Sequence, residues 1–211
     1  MGTTYNTTAP AYIADDGTLT DGEAWVACAT HTETGTGTTD ITLSSTTGCN
    51  NWSQYQDLVI VASVRTEYAT TNNLPQIFFN GDTTDAHYRR QMLRDDGSAL
   101  MAFEQQNSYL MYATGATSLA STFGTNLLRI HSINAGYCKT ITVQNACCDN
   151  NTSPGCYMGT GIYGNVDSAD VYYGVGDIQK AITSITFKAT TGWQAGTRID
   201  IFGVLPRMVI G

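Results

Sequence analysis

The stretch LVIVASVR at residues 58–65 decides the fold class of this chain. Its run of β-branched residues is typical of a strand that is buried on both faces at first and then alternates. A second stretch, KTITVQ at 139–144, alternates polar and apolar residues. A third, RIDIFGV at 198–204, places Ile199 and Ile201 on one face. Because no window shows the period of an amphipathic helix of ten or more residues, we expect an all-β protein.

Candidate strands recur at short intervals, separated by turn residues such as Asn80-Gly81 and the hairpin turn Asp95-Asp96-Gly97. About ten such strands predict a jelly-roll-like β-sandwich of antiparallel strands in two sheets. Stretches rich in Gly, Thr or Asn predict loops at 31–40, 48–54 and 155–164. The candidate strands lie at 25–28, 41–43, 58–65, 76–79, 87–93, 99–104, 127–133, 139–144, 169–175, 182–187 and 197–204.

The length of 211 residues fits one domain with two distinct ends. Residues 1–22 are polar and are predicted to form an extended N-terminal arm. Residues 23–204 hold the candidate strands and are predicted to form the β-sandwich domain. Residues 205–211 are predicted to be a short C-terminal docking tail, because their apolar side chains would be a poor free end in water.

The charge balance argues against several partners. Ten Lys and Arg residues against 18 Asp and Glu residues give a formal net charge of -8. Nucleic acids and anionic membranes both attract clustered cations, so we expect neither as a partner. The N-terminus lacks the basic start and apolar core of a signal peptide, and no stretch approaches the ~20 apolar residues of a membrane span. We therefore expect synthesis in a cytosol without export.

The six cysteines include one local cluster, Cys147, Cys148 and Cys156, in a segment whose composition predicts an exposed loop. Free thiols fit this segment best and a loop-closing disulfide to Cys156 comes second. A zinc site comes third, because no histidine lies near the cluster in sequence. Cys28 and Cys138 fall in strand-like segments and are predicted to be small core or half-core residues.

The hexapeptide GTGIYG at 159–164 matches the dinucleotide-binding pattern GxGxxG. That pattern binds pyrophosphate where a strand precedes it and a helix follows. The residues that follow here lack helical periodicity. We therefore interpret the hexapeptide as a glycine-rich β-loop and assign no cofactor.

The segment DTTDAH at 82–87 brings two carboxylates and an imidazole together in sequence. A hard cation such as Ca²⁺ could be bound by Asn80, Asp82 and Asp85. Asp and Asn also favour turns, because their side chains accept hydrogen bonds from nearby backbone N–H groups. The turn is the favoured interpretation, the cation remains an alternative, and no metal ligand is assigned.

No arrangement of residues points to catalysis. Ser132 follows His131, but neighbours within a strand point to opposite faces and cannot act together. A glycoside hydrolase would need a carboxylate pair whose separation a sequence does not show. The carboxylates at turns are Asp82, Asp85, Asp95 and Asp96. We expect a protein that is not an enzyme and assign no catalytic residue.

Two sets of strand and turn motifs carry a resemblance to a known family. In the first set, a strand ends at Arg65 and is followed by FNGDT at 79–83 and then by Tyr88. In the second, ITSITF at 182–187 is followed by GWQAGTRIDIFGV at 192–204. In this order the motifs resemble a family of small β-rich virion proteins of tailed bacteriophages.

The resemblance spans residues 41–204 and depends on structural turns. Thr84 stands where the family usually has glycine, and the segment 147–156 is not part of the pattern. The resemblance implies a jelly-roll-like module without catalytic residues on the virion surface. It does not distinguish the capsid from the tail.

The leading hypothesis is a capsid decoration or cement protein on the outer head surface that stabilises the particle. Such a protein would contact the major capsid protein and form homo-oligomers, with a trimer favoured. The alternative is a tail-fibre or tail-tip module that contacts tail proteins and recognises a host surface glycan. Copy number in purified particles separates these hypotheses.

Overall fold

The computed structural model describes residues 2–5, 25–95, 100–135, 138–149, 153–164 and 180–205. Within these residues the chain is all-β, with three single turns of 3-10 helix at Gly48–Asn50, Trp52–Gln54 and Asp85–His87. None of the described helices is long and apolar enough to cross a membrane. The strands are β1 (Gly2–Tyr5), β2 (Trp25–Thr32), β3 (Thr38–Ser44), β4 (Asp57–Val64), β5 (Asn72–Asn73), β6 (Gln76–Phe79), β7 (Tyr88–Asp95), β8 (Leu100–Gln105), β9 (Ala113–Thr114), β10 (Gly124–Ile130), β11 (Lys139–Asp149), β12 (Ser153–Tyr163), β13 (Ser184–Trp193) and β14 (Arg198–Val204).

The described strands form one large sheet and two smaller ones, with antiparallel pairing throughout. The large sheet has the order β1-β2-β14-β4-β10-β11-β12-β7-β8. The second sheet has the order β3-β13-β6, and β5 pairs with β9. The stretch that predicted the fold class forms β4, which pairs with β14 on one side and β10 on the other.

One apolar core joins the large sheet to the three-stranded sheet. Ile60 and Ile201 of the large sheet belong to the same buried cluster as Leu43 and Phe187 of the smaller one. Two antiparallel sheets that share a core form a sandwich-like arrangement. The all-β prediction is therefore confirmed.

Several local predictions agree with these strands. The predicted hairpin around Asp95-Asp96-Gly97 is the antiparallel pair β7–β8. The predicted turn at Asn80-Gly81 has positive φ at both residues, 53° and 74°. This turn links β6 of the small sheet to the segment before β7 of the large one, so it carries the chain between sheets.

The structure corrects two predicted loops. The stretch 155–164 was expected to be a glycine-rich loop, but most of it lies in β12, which pairs with β11 and β7. The stretch 31–40 was also expected to be a loop. Because β2 runs to Thr32 and β3 begins at Thr38, only residues 33–37 connect these strands.

Glycine suits β12 because its neighbours approach closely. A Cβ on Gly159 would lie 2.3 Å from the backbone oxygen of Gln91 on β7. A Cβ on Gly161 would lie 2.7 Å from Cδ2 of Leu110. The backbone oxygen of Gln91 cannot move aside, so Gly159 serves sheet packing, whereas a side chain at Gly161 would require Leu110 to shift.

Two cysteine predictions are wrong. Cys147 was expected on an exposed loop but is buried in β11, with its side chain in the core. Cys138 was expected in or near the core but is exposed just before β11. Cys28 is buried in β2 as predicted. The side chains of Cys148 and Cys156 lie outside what the structure describes.

The chain ends are described in part. Of the predicted arm, Gly2–Tyr5 forms β1 and pairs with β2, while residues 6–24 lie outside the described residues. Of the predicted tail, Leu205 is partly buried against the core, and 206–211 lie outside the described residues. The predicted strand at 169–175 also lies outside them.

Candidate functional site

The large sheet has one face on the core and an opposite face, here called the outer face. On β10, Leu128 and Ile130 are in the core, so Leu127 and Arg129 point to the outer face. Two of the grooves on the outer face hold large exposed apolar side chains. Both are built from side chains that cross-strand pairing brings together from distant parts of the chain.

The first groove, called the β7 groove, lies where β12, β7 and β8 run side by side. Leu93 on β7 lies opposite Met158 on β12 and Ala102 on β8. Leu93 is 52% exposed and Met158 is 60% exposed. The groove has a volume of about 610 Å³. Two adjacent large apolar side chains exposed in one groove are typical of an interaction surface.

The β7 groove has a polar rim. Arg89 and Glu104 form an exposed ion pair at 3.6 Å on one side of it. Gln91 and Thr160 add neutral polar groups to the lining. An apolar centre surrounded by polar and charged groups is the usual anatomy of a protein–protein interface.

A buried arginine fixes the strands beneath this groove. Nη1 of Arg90 donates to the backbone oxygen of Tyr109 at 2.5 Å, and Nη2 donates to Oε1 of Gln105. The guanidinium also lies 5.2 Å from the ring centre of Phe103 on β8. These contacts join β7, β8 and the following loop, so the groove has a rigid floor.

The second groove, called the Trp25 groove, lies on the same face and has a volume of about 190 Å³. Trp25 is 44% exposed, and its ring centre lies 6.1 Å from that of Phe202 on the neighbouring strand β14. Val59 is buried although it is not part of the main core cluster. The residues that line the groove are Trp25, Val59, Leu127, Arg129, Thr142 and Gln144.

A buried carboxylate orients Arg129 at this groove. Oδ2 of Asp57 accepts hydrogen bonds from Nε and Nη2 of Arg129 at 2.9 and 2.6 Å. Oδ1 of Asp57 accepts from the backbone N–H of Ser132 at 2.8 Å. Nδ1 of His131 lies 3.6 Å from Oδ2 of the same carboxylate. Asp57 thus holds the arginine and closes the turn after β10.

The two grooves adjoin. Gln144, which lines the Trp25 groove, lies opposite Met158 of the β7 groove, and on its other side it lies opposite Leu127. A row of side chains from neighbouring strands therefore runs through both grooves on the outer face.

Residues 80–87 form a turn in which the side chains of Asn80, Asp82 and His87 bond to each other or to nearby backbone groups. Oδ1 of Asn80 accepts from the backbone N–H of Thr183, and its Nδ2 donates to Ala181. Oδ2 of Asp82 lies 2.5 Å from Nδ1 of His87, and its Oδ1 accepts from the backbone N–H of Thr84. These contacts support the turn interpretation, and the described residues contain no group of three metal-ligating side chains.

The other sequence candidates do not meet at one place. His131 and Ser132 follow β10 and are not within a strand, and Ser132 has a positive φ of 52°. The imidazole of His131 faces Asp57 and Thr142. The side chain of Asp95 and all of Asp96 lie outside what the structure describes.

Sequence reasoning missed both grooves. The sequence of β10 did contain one signal for this face. Because Leu128 and Ile130 point to the core, their neighbours Leu127 and Arg129 point outward. Trp25 was assigned only to a short strand. Comparisons with protein-family models, with curated proteins and with solved structures found no match to this chain.

Proposed function

We propose that this chain is a non-enzymatic structural protein of a tailed-bacteriophage virion, a decoration or cement protein that stabilises the head from its outer surface. In this proposal it is a jelly-roll-like module that forms a homotrimer and contacts the major capsid protein. It is made in the host cytoplasm and ends at the virion surface. The single observation that carries the docking role is the β7 groove.

The chemistry of the β7 groove supports docking on protein. Burial of apolar surface contributes about 25 cal/mol per Å², so Leu93 and Met158 would supply a stabilising centre if a partner covered them. Methionine is enriched at interfaces because its flexible side chain adapts to the opposing surface. The Arg89–Glu104 pair at the rim would affect partner choice more than affinity.

The edge of the large sheet supports assembly as well. Among the described strands, β8 pairs only with β7 and therefore presents one side of its backbone at the sheet edge. Edge strands of this kind pair readily with a strand of another chain. The β7 groove lies next to this edge, so one partner could cover both.

Substitution of the groove residues tests the docking role. Leu93→Asp and Met158→Asp should each abolish binding of the purified chain to particles that lack it, because a charge would be buried at the contact. Leu119→Asp is the matched control, since Leu119 is 54% exposed in the loop before β10. Unchanged binding of both groove variants would contradict the role of this groove.

A second candidate function is a tail-fibre or tail-tip module that recognises a host surface glycan. The observation that favours it is the Trp25 groove, where an exposed aromatic ring stands beside polar side chains. Copy number in purified virions separates the two functions. Hundreds of copies per particle agree with a head decoration protein, and tens or fewer agree with a tail component.

A further inference from the structure

We propose that the Trp25 groove is a saccharide site that binds one uncharged pyranose ring. This inference goes beyond the head-docking role and does not depend on it, since it concerns the other groove. It assigns a specific binding site to the second candidate function, a tail module that recognises a host surface glycan.

Trp25 provides the surface on which a sugar ring can pack. One face of a pyranose carries mainly C–H groups, and an indole offers a flat apolar partner for them. The contact between Trp25 and Phe202 at 6.1 Å supports the indole from one side. Val59 beneath the groove is buried, so the floor is apolar and already packed.

The opposite edge of the groove offers hydrogen bonds suited to hydroxyl groups. Thr142 and Gln144 are two residues apart on β11 and point to the same face, about 7 Å apart along the strand. A hydroxyl and an amide can each donate and accept, as sugar hydroxyls do. Two such groups across the groove from an aromatic ring match the edge of a pyranose better than they match an apolar side chain.

Arg129 adds a donor whose position is already set. It lies opposite Thr142 in the strand register. Its Nε and Nη2 are held by Asp57, and its Nη1 makes no hydrogen bond to any described residue. A donor fixed in this way loses little side-chain freedom when a ligand binds.

Size and charge select the class of ligand. Sites for drug-sized ligands have volumes of about 300–1,000 Å³, whereas this groove has about 190 Å³ and suits a single ring. The charge of Arg129 is compensated by Asp57 at 2.6 Å, and the chain as a whole carries a formal charge of -8. A phosphorylated ligand is therefore disfavoured, and a neutral sugar is favoured.

The three tryptophans allow a direct test on the full chain. Trp52 and Trp193 are fully buried, so Trp25 is the tryptophan that a soluble quencher reaches. Methyl glycosides of glucose, galactose, mannose and N-acetylglucosamine should each be titrated while acrylamide quenching is measured. At least one should protect Trp25, with a dissociation constant on the order of 1 mM, as expected for a ligand of one ring.

Variants separate this site from the β7 groove. Gln144→Ala should weaken sugar binding about tenfold, since one directional contact is lost. Trp25→Ala should abolish it, as measured by saturation-transfer NMR with the same glycosides. Leu93→Asp is the control and should bind sugar as the unmodified chain does.

Three results would overturn the proposal. The first is that none of the four glycosides protects Trp25 from quenching. The second is that Gln144→Ala binds sugar as well as the unmodified chain does. The third is that N-acetylphenylalanine amide, a mimic of an aromatic peptide side chain, protects Trp25 more strongly than the glycosides do. None of these results bears on docking through Leu93 and Met158, which the particle-binding assay measures separately.

Discussion

Asp57 on β4 and Arg129 on β10 are joined by two hydrogen bonds, in which Nε and Nη2 of the guanidinium donate to one carboxylate oxygen. The carboxylate is buried, and its other oxygen accepts the backbone N–H of Ser132. Hydrogen bonds to a buried charged group contribute more to stability than neutral ones do. This relationship therefore links the stability of the sheet to the geometry of the Trp25 groove.

Replacement of Asp57 by Ala should lower the free energy of unfolding by about 2 kcal/mol, because Arg129 and Ser132 lose their acceptor. Urea denaturation followed by circular dichroism measures this change. Asp40→Ala is the control, because its contact with Lys188 spans 3.9 Å between two exposed side chains. Exposed pairs contribute about 0–1 kcal/mol. Equal losses in both variants would contradict the role given to Asp57.

Replacement of Gly159 by Ala should destabilise the pairing of β12 with β7. The new Cβ would lie 2.3 Å from the backbone oxygen of Gln91, which cannot move aside as a flexible side chain would. We expect a loss of about 1–3 kcal/mol. The melting temperature should fall by about 2–4 °C for each kcal/mol lost in a domain of this size.

Gly35→Ala is the matched control for this change. A Cβ at Gly35 would lie 3.8 Å from Oε1 of Glu33, which is an ordinary contact. Its melting temperature should stay close to that of the unmodified chain. A Gly159→Ala variant as stable as Gly35→Ala would show that β12 tolerates side chains at this position.

The sequence predicted those strands whose hydrophobic pattern is contained within the strand itself. β4 was readable from its continuous run of β-branched residues, and β14 was readable from its alternation of apolar and other residues. β12 was not readable, because Gly159 is required by the backbone of β7, which lies far away in sequence. Tertiary contact here overrides local propensity.

The candidate site was less predictable than the fold. Leu93 and Met158 form one apolar strip only because the register of β7 on β12 places them opposite each other. A single exposed Leu or Met in a sequence carries no functional signal. Trp25 and Gln144 likewise line one groove only because of the strand order of the large sheet.

Cys28 and Cys138 should differ in reactivity toward iodoacetamide. Burial raises the pKa of the Cys28 thiol to about 12, so at pH 8 it stays protonated as well as shielded. Cys138 is exposed before β11 and should be alkylated first. Peptide mass spectrometry after a short labelling time measures both sites.

The same labelling in urea is the control for this prediction, since unfolding should make Cys28 as reactive as Cys138. Cys138→Ser should remove the fast labelling of its own peptide and leave Cys28 protected. Rapid alkylation of Cys28 in the folded chain would be incompatible with its burial in β2.

Acid should destabilise the fold through His31 on β2. Burial lowers the pKa of His31 below 6.5, although nearby Glu33 opposes this shift. Below pH 6.5 the unfolded chain therefore binds a proton more readily than the folded chain, and stability falls as pH falls. His31→Gln should reduce this slope in urea denaturation between pH 7 and 5. An unchanged slope in His31→Gln would contradict the assignment.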